Sequence, residues 1–129
     1  MPINPNTAGI HHINLRSKDL NITKAFYKDV IGLTLALESP EILAFLIGSV
    51  FLVFKKATTE TGTEVFSPMD IGMDHIALAC ESEEELNRVA KALTDEGVEN
   101  TGIKLDATLN KHYVAFKDPD RIQWEFYMS

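Results

Sequence analysis

Short alternating apolar runs, each set punctuated by one stretch of helical period, are laid down twice along this chain. Residues 9–16 alternate as a half-buried strand does. The period then changes: Leu20, Thr23, Phe26, Tyr27 and Val30 recur at helical spacing, which predicts a helix over 19–31, and Gly32 stands where a helix ends. Three short runs rich in Leu, Ile, Val and Phe follow at 33–38, 42–47 and 50–54, separated by Ser39-Pro40-Glu41 and Gly48-Ser49. The order is β-α-β-β-β. After a polar stretch over 55–68, with a short extended piece expected at 64–66, the order repeats. A strand is expected at 74–80 and a helix over 82–96, opened by the capping box Ser82-x-x-Glu85 and closed by Gly97. Its apolar stripe is Leu86, Val89, Ala90 and Leu93. Strands follow at 98–103, 112–117 and 123–128, the last two joined by the turn Asp118-Pro119-Asp120-Arg121.

The repeat is written in residue identities as well as in periods. Gly9-Ile10-His11-His12-Ile13-Asn14-Leu15 returns as Gly72-Met73-Asp74-His75-Ile76-Ala77-Leu78, an offset of 63 positions. Repetition at about half the chain length implies two copies of one supersecondary unit, not a solenoid of many short repeats. The expectation is an α+β fold of two βαβββ modules forming a cleft. Module one is 9–54, the linker 55–71 and module two 72–129, within a single domain covering 1–129.

Composition narrows the class. The formal charge of −7, with no basic stripe, disfavours nucleic acid and anionic membranes as partners. No apolar run approaches a membrane span, and residues 1–7 lack the basic and apolar regions of a signal peptide. The single cysteine, Cys80, excludes an intrachain disulfide framework; it reads as a small packed residue in a protein of the cytoplasm. Glu81, Glu83, Glu84 and Glu85 suit the start of the second helix.

Candidate chemistry sits on the repeat. His12 and His75 hold equivalent places, each opening a strand with its imidazole on one face. Glu125 lies inside an apolar run, Ile122-Gln123-Trp124-Glu125-Phe126-Tyr127, where an ionised carboxylate is costly unless paired or bound to a cation. Singly, a strand-opening histidine is most often structural, and a glutamate in a final strand can face solvent. Together, two histidines and a carboxylate make a facial triad with open positions, suited to Fe(II) and usable by Mn(II) and other divalent ions. His11 is expected on the opposite side of its strand from His12. His112, Tyr113 and Asn14 are candidate cleft residues, with surface or packing roles as the competing reading.

At this point the chain resembles the vicinal oxygen chelate superfamily, which includes glyoxalase I, fosfomycin-modifying enzymes, bleomycin-binding proteins, methylmalonyl-CoA epimerase and extradiol dioxygenases. The likeness runs from Gly9 onward. It rests on the Gly-x-x-His-Ile-x-Leu openings, on Ala25-Phe26-Tyr27-x-x-Val30-x-Gly32-Leu33, and on Asp118-Pro119-Asp120-x-x-x-Trp124-Glu125.

The resemblance implies that His12, His75 and Glu125 hold a divalent metal (Fe, Mn, Ni or Zn) at about 2.0–2.3 Å. Aligning 48–52 on 121–125 puts Leu52 where glyoxalase I carries a further acidic ligand, which argues against a four-ligand site. The three-ligand set resembles fosfomycin-modifying enzymes and extradiol dioxygenases. Against those, this chain has Asn14 for a threonine, Ala115 for a tyrosine, and Arg121 for a glycine, so that turn is expected to avoid a glycine-only conformation. The implied function is a metal-dependent enzyme acting on a small substrate that chelates through adjacent oxygens, dioxygenase-like first and a lyase, isomerase or fosfomycin-type transferase second. The alternative is a metal-free small-molecule binder of the bleomycin-resistance type. A homodimer is also implied, with modules paired within one chain or across two.

Overall fold

Hydrogen bonding orders the strands of the two halves identically. The computed structural model describes residues 1–58 and 65–129. The chain divides into two compact units, Met1–Glu60 and Thr61–Ser129. Each unit carries a four-stranded sheet, and its helix joins the first strand to the second. In unit one the strands are β1 (His12–Ser17), β2 (Thr34–Ser39), β3 (Ile42–Ile47) and β4 (Val50–Lys56), ordered β1-β4-β3-β2. In unit two they are β5 (Ile76–Cys80), β6 (Asn100–Asp106), β7 (Lys111–Lys117) and β8 (Gln123–Met128), ordered β5-β8-β7-β6. In both, the first and last strands pair in parallel and the remaining pairs are antiparallel. The α+β reading of two βαβββ modules is therefore correct.

The first helix departs from the simple apolar stripe. Asp19 caps it, its Oδ1 accepting from the Asn21 and Ile22 N–H groups at 2.8 and 3.4 Å. Regular α-helix, α1, covers only Leu20–Lys24; Ala25–Val30 is π-helical, with the Ile31 N–H donating to the Phe26 carbonyl at 2.9 Å. The wider turn brings Phe26 and Tyr27 into the core but carries Val30 off the stripe, leaving it exposed. Gly32, at φ +86°, ends the helix with the backbone conformation that glycine adopts without strain.

The second helix, α2 (Glu83–Asp95), follows its stripe: Leu86 and Leu93 are buried. Ser82 Oγ accepts from the Glu85 N–H at 3.1 Å, as the capping box requires. The Glu85 carboxylate instead takes a two-point grip on Arg88, which holds it below the usual carboxylate range.

The cores lie between each helix and one face of its sheet. Tyr27, Phe45 and Phe54 cluster in unit one, with the Tyr27 and Phe54 rings 4.6 Å apart. Leu86, Leu93, Val114, Phe116, Ile122 and Trp124 fill unit two. Cys80 is buried, and desolvation pushes its thiol up, in keeping with a packed residue. Its repeat equivalent is Ser17, buried to 2% exposure with a hydroxyl that finds no hydrogen-bond partner.

Several expected boundaries move. β4 continues through Lys56, so the polar linker starts later than residue 55. Of the extended piece expected at 64–66, Glu64 lies outside the described residues, and Val65 and Phe66 belong to no strand. Arg121 takes the left-handed conformation that glycine would take, φ +67°. That conformation costs an L-residue about 1–2 kcal/mol. Asp118 holds it by accepting the Asp120 and Ile122 N–H groups on Oδ1, both at 2.8 Å.

Candidate functional site

In unit two the turn over 118–122 sets the phase of β8. Trp124 faces the helix and is 1% exposed, so Glu125 must face the other side of the sheet. There it pairs in register with Ala77 on β5 and Ala115 on β7. Two methyl-sized neighbours leave open floor beside the carboxylate. Tyr113, Tyr127 and Asp106 rise around that floor, and with His75 they border a cavity of about 410 Å³.

His75, one residue ahead of β5, is held at both ring nitrogens. Its Nδ1 lies 2.7 Å from Asp74 Oδ1, and its Nε2 lies 3.3 Å from Glu125 Oε1. Glu125 is only 9% exposed. Burial raises its carboxyl above the usual carboxylate range; the nearby His75 works the other way, and Asp106 and Asp74 reinforce the rise. Across the cavity the Tyr127 hydroxyl donates to Asp106 Oδ2 at 2.7 Å. That bond pushes the phenol up to about 12 and, with the Thr108 N–H on Oδ1 at 2.9 Å, lowers the Asp106 carboxyl. Tyr113 and Tyr127 are register partners whose rings lie 6.1 Å apart and nearly parallel, forming an aromatic wall. This side of the sheet thus offers an imidazole nitrogen, two carboxylates and two phenols over an apolar floor.

The other expected residues are placed as follows. His12 opens β1 and shares a sheet face with Asn14 and Arg16 in unit one. His11 was expected to face away from His12, but it lies before the strand, and its Nδ1 meets His12 Nδ1 at 2.9 Å. His112 alternates to the side opposite Tyr113 and meets Glu83 of α2, Nδ1 to Oε1 at 3.1 Å. Among the described residues, no three His, Cys, Asp or Glu side chains gather as a ready-made cage for an ion.

Register also corrects the counterpart of Glu125. In unit two Glu125 pairs with Ala77; the repeat equivalent of Ala77 is Asn14, which pairs with Val53. The counterpart is therefore Val53, and Leu52 corresponds to Trp124 in the core, where it is 1% exposed. The alignment that pointed to Leu52 was one residue out of phase, enough to swap sheet faces. Its chemical conclusion is unchanged, because valine coordinates nothing either.

Three residues of the site were missed. Asp74 stands beside His75 in the repeated phrase and could have been picked out as its partner. Asp106 and Tyr127 carry no local signal; they lie 21 positions apart and meet only through the β6–β7–β8 ladder.

Residues 9–126 match the family model described as "Glyoxalase/Bleomycin resistance protein/Dioxygenase superfamily". The chain is 26% identical over 125 residues to the uncharacterized protein YwkD of Bacillus subtilis, covering 92% of this chain and 94% of that one. A lactoylglutathione lyase from Agrobacterium tumefaciens superposes with a TM-score of 0.76 at 18% identity, covering 97% of this chain and 96% of the other. The fosfomycin resistance protein FosX from Listeria monocytogenes gives 0.74 at 23% identity, covering 95% and 94%. No helix among the described residues is long and apolar enough to cross a membrane.

Proposed function

The chain belongs to the glyoxalase/bleomycin resistance protein/dioxygenase superfamily, and from that premise we propose that it is a metal-dependent enzyme acting on a small substrate that chelates through adjacent oxygens. The observation that carries this reading is the buried Glu125 carboxylate set against His75 Nε2 at 3.3 Å, beside a cavity. Two ligands each about 2.1 Å from one ion and roughly at right angles lie about 3 Å apart, so this pair has the spacing of a half-site. His75 and Glu125 would hold a divalent ion, Fe, Mn, Ni or Zn, with His12 of module one as the third ligand. When bound, the ion supplies Lewis acidity to paired oxygens of the substrate.

The chain's own residues do the rest. Asp74 orients the His75 ring by accepting at Nδ1. Tyr113 and Tyr127 give an apolar wall that excludes water from one side of the ligand. Because the Tyr127 proton is committed to Asp106, its phenol oxygen is free to accept a hydrogen bond from a substrate hydroxyl. Valine at 53 supports three protein ligands over four, which favours dioxygenase-like chemistry first and a lyase, isomerase or fosfomycin-type transferase second.

The test is metal analysis of untagged protein purified without chelator, followed by an anomalous-scattering map. About one ion per chain on His12, His75 and Glu125 supports the enzyme. No ion, with no uptake of added Fe(II), Mn(II), Ni(II) or Zn(II), refutes it and leaves the metal-free binder of the bleomycin-resistance type. We also propose a homodimer, with His12 supplied by the same chain or by a second copy. Sedimentation at micromolar concentration decides: a monomer that still binds one ion per chain rules out the shared arrangement.

A further inference from the structure

We propose that His11 and Asp74 are matched positioning residues, each accepting the Nδ1 proton of the histidine that follows it and so leaving Nε2 of His12 and His75 as a lone-pair donor. The use of those donors rests on the metal reading above. The arrangement itself is carried by geometry and by the repeat.

A neutral imidazole carries one proton on two nitrogens, and its partners decide which. Asp74 Oδ1 lies 2.7 Å from His75 Nδ1. Both ring nitrogens face a carboxylate, and the closer one, Asp74 at 2.7 Å against Glu125 at 3.3 Å, makes the better acceptor, which puts the proton of the neutral ring on Nδ1. Nε2, the nitrogen that points at Glu125, is then the lone-pair atom. In module one, His11 occupies the place that Asp74 holds in the repeated phrase, 63 positions earlier. Its Nδ1 lies 2.9 Å from His12 Nδ1. A hydrogen bond between two nitrogens needs one donor and one acceptor. With His12 as the donor, as His75 is in module two, His11 accepts and carries its own proton on Nε2.

His11 is anchored for this role. Its carbonyl accepts the Phe51 N–H at 3.1 Å, and its ring lies 5.9 Å from that of Phe51. Two chemically different side chains thus do the same task at the same repeat position. They differ in strength. A carboxylate acceptor gives a charge-assisted bond, roughly twice as strong as a neutral one, and makes the ring a better donor at its far nitrogen. His75 is therefore the stronger ligand and His12 the weaker.

Long-range proton–nitrogen correlation spectra of the metal-free, nitrogen-15-labelled full chain read the tautomers directly. The expected result is Nδ1–H at His12 and His75 and Nε2–H at His11; Nε2–H at His12 or His75 overturns the proposal. Asp74→Ala should shift His75 towards Nε2–H, while Asp74→Asn, whose amide oxygen still accepts, should preserve Nδ1–H. An unmoved His75 tautomer in Asp74→Ala also overturns it. Competition with a chelator for Zn²⁺ gives the second readout. Asp74→Ala should lose about 10–100-fold in affinity, His11→Ala should lose less, and His11→Asp should gain. Equal Zn²⁺ affinity across these variants counts against the proposal. If the unmodified protein takes up no Zn²⁺, the metal reading fails, and the tautomers alone decide this one.

Discussion

The two sheets share one ladder and differ in what they show on the side away from their helices. At matched register positions, unit one carries Ile42, Ala44, Val53 and Lys55, where unit two carries Tyr113, Ala115, Glu125 and Tyr127. The helix-facing positions are alike: Phe45 answers Phe116, and Leu52 answers Trp124, all buried. The two copies match in the layer that folds the chain and differ in the other layer. The carboxylate and the two phenols lie on one copy, while the matching face of the other carries His12, Asn14, Arg16 and Lys55 around Ile42, Ala44 and Val53.

The sharpest way to break this comparison is to put an acid at each of the two candidate counterparts. Leu52→Glu buries a charge in the core of unit one and should cost about 3–5 kcal/mol or prevent folding. Val53→Glu falls where unit two already tolerates a carboxylate and should cost about 1–3 kcal/mol. Urea denaturation midpoints of the two variants check the register; a milder Leu52→Glu would refute it.

The reverse transplant comes next. Glu125→Val should lower divalent-metal affinity by at least about 100-fold, more than loss of an outer-shell partner does. It should also leave the metal-free protein as stable or about 1 kcal/mol more stable, since a buried carboxylate is costly without its cation. Chelator competition and thermal melts test the two halves, and a fall in metal-free stability would argue that Glu125 is a structural residue.

A smaller effect separates Ser17 from Cys80, equivalent residues at the ends of β1 and β5. The Ser17 hydroxyl is buried without a partner, so Ser17→Ala should stabilise unit one by about 1 kcal/mol. A lower unfolding midpoint would show that the hydroxyl matters.

The smallest effect is in pH. Burial raises the folded-state Glu125 carboxyl above its ordinary value of 4.5. The native state therefore holds that proton more tightly than the unfolded chain does. Its contribution is fully present below the unfolded pKa and is lost as pH rises through the folded one. In metal-free protein, the stability advantage of Glu125→Gln over the parent should accordingly grow from about pH 4.5 upward. An advantage that shrinks with rising pH would reverse the assigned direction.

Most of the architecture could be read from the chain because it is written in local periods. Alternation marked the strands, helical spacing marked Leu86 and Leu93, and the repeated phrase marked the two modules. What escaped was set by phase. Leu52 and Val53 are adjacent in sequence, and only the hydrogen-bonded register says which one faces with Glu125. A π-helical turn displaced Val30 from a stripe that assumed uniform α-helix. His11 escaped strand alternation because it precedes the strand. His75 and Glu125 were picked out by the repeat and by an acid in an apolar run. Asp106 and Tyr127 were not, because a cross-sheet hydrogen bond leaves no trace in either residue's neighbourhood.

Each module is closed by pairing its first strand with its last, and both copies finish that seam alike. The Ala57 N–H donates to the Ser17 carbonyl at 2.8 Å, and the Ser129 N–H to the Cys80 carbonyl at 3.0 Å. The strand that leaves the ribosome first is thus the one that waits longest for its neighbour. β1 stays without its ladder until Lys56 has been made, and β5 until the last residues of this chain. Neither helix can be sealed onto a complete sheet before then. Such long-range parallel pairing slows folding because loop closure must be met before the contacts reward it. During synthesis, each module should therefore gain its protease resistance in one late step, when its fourth strand arrives.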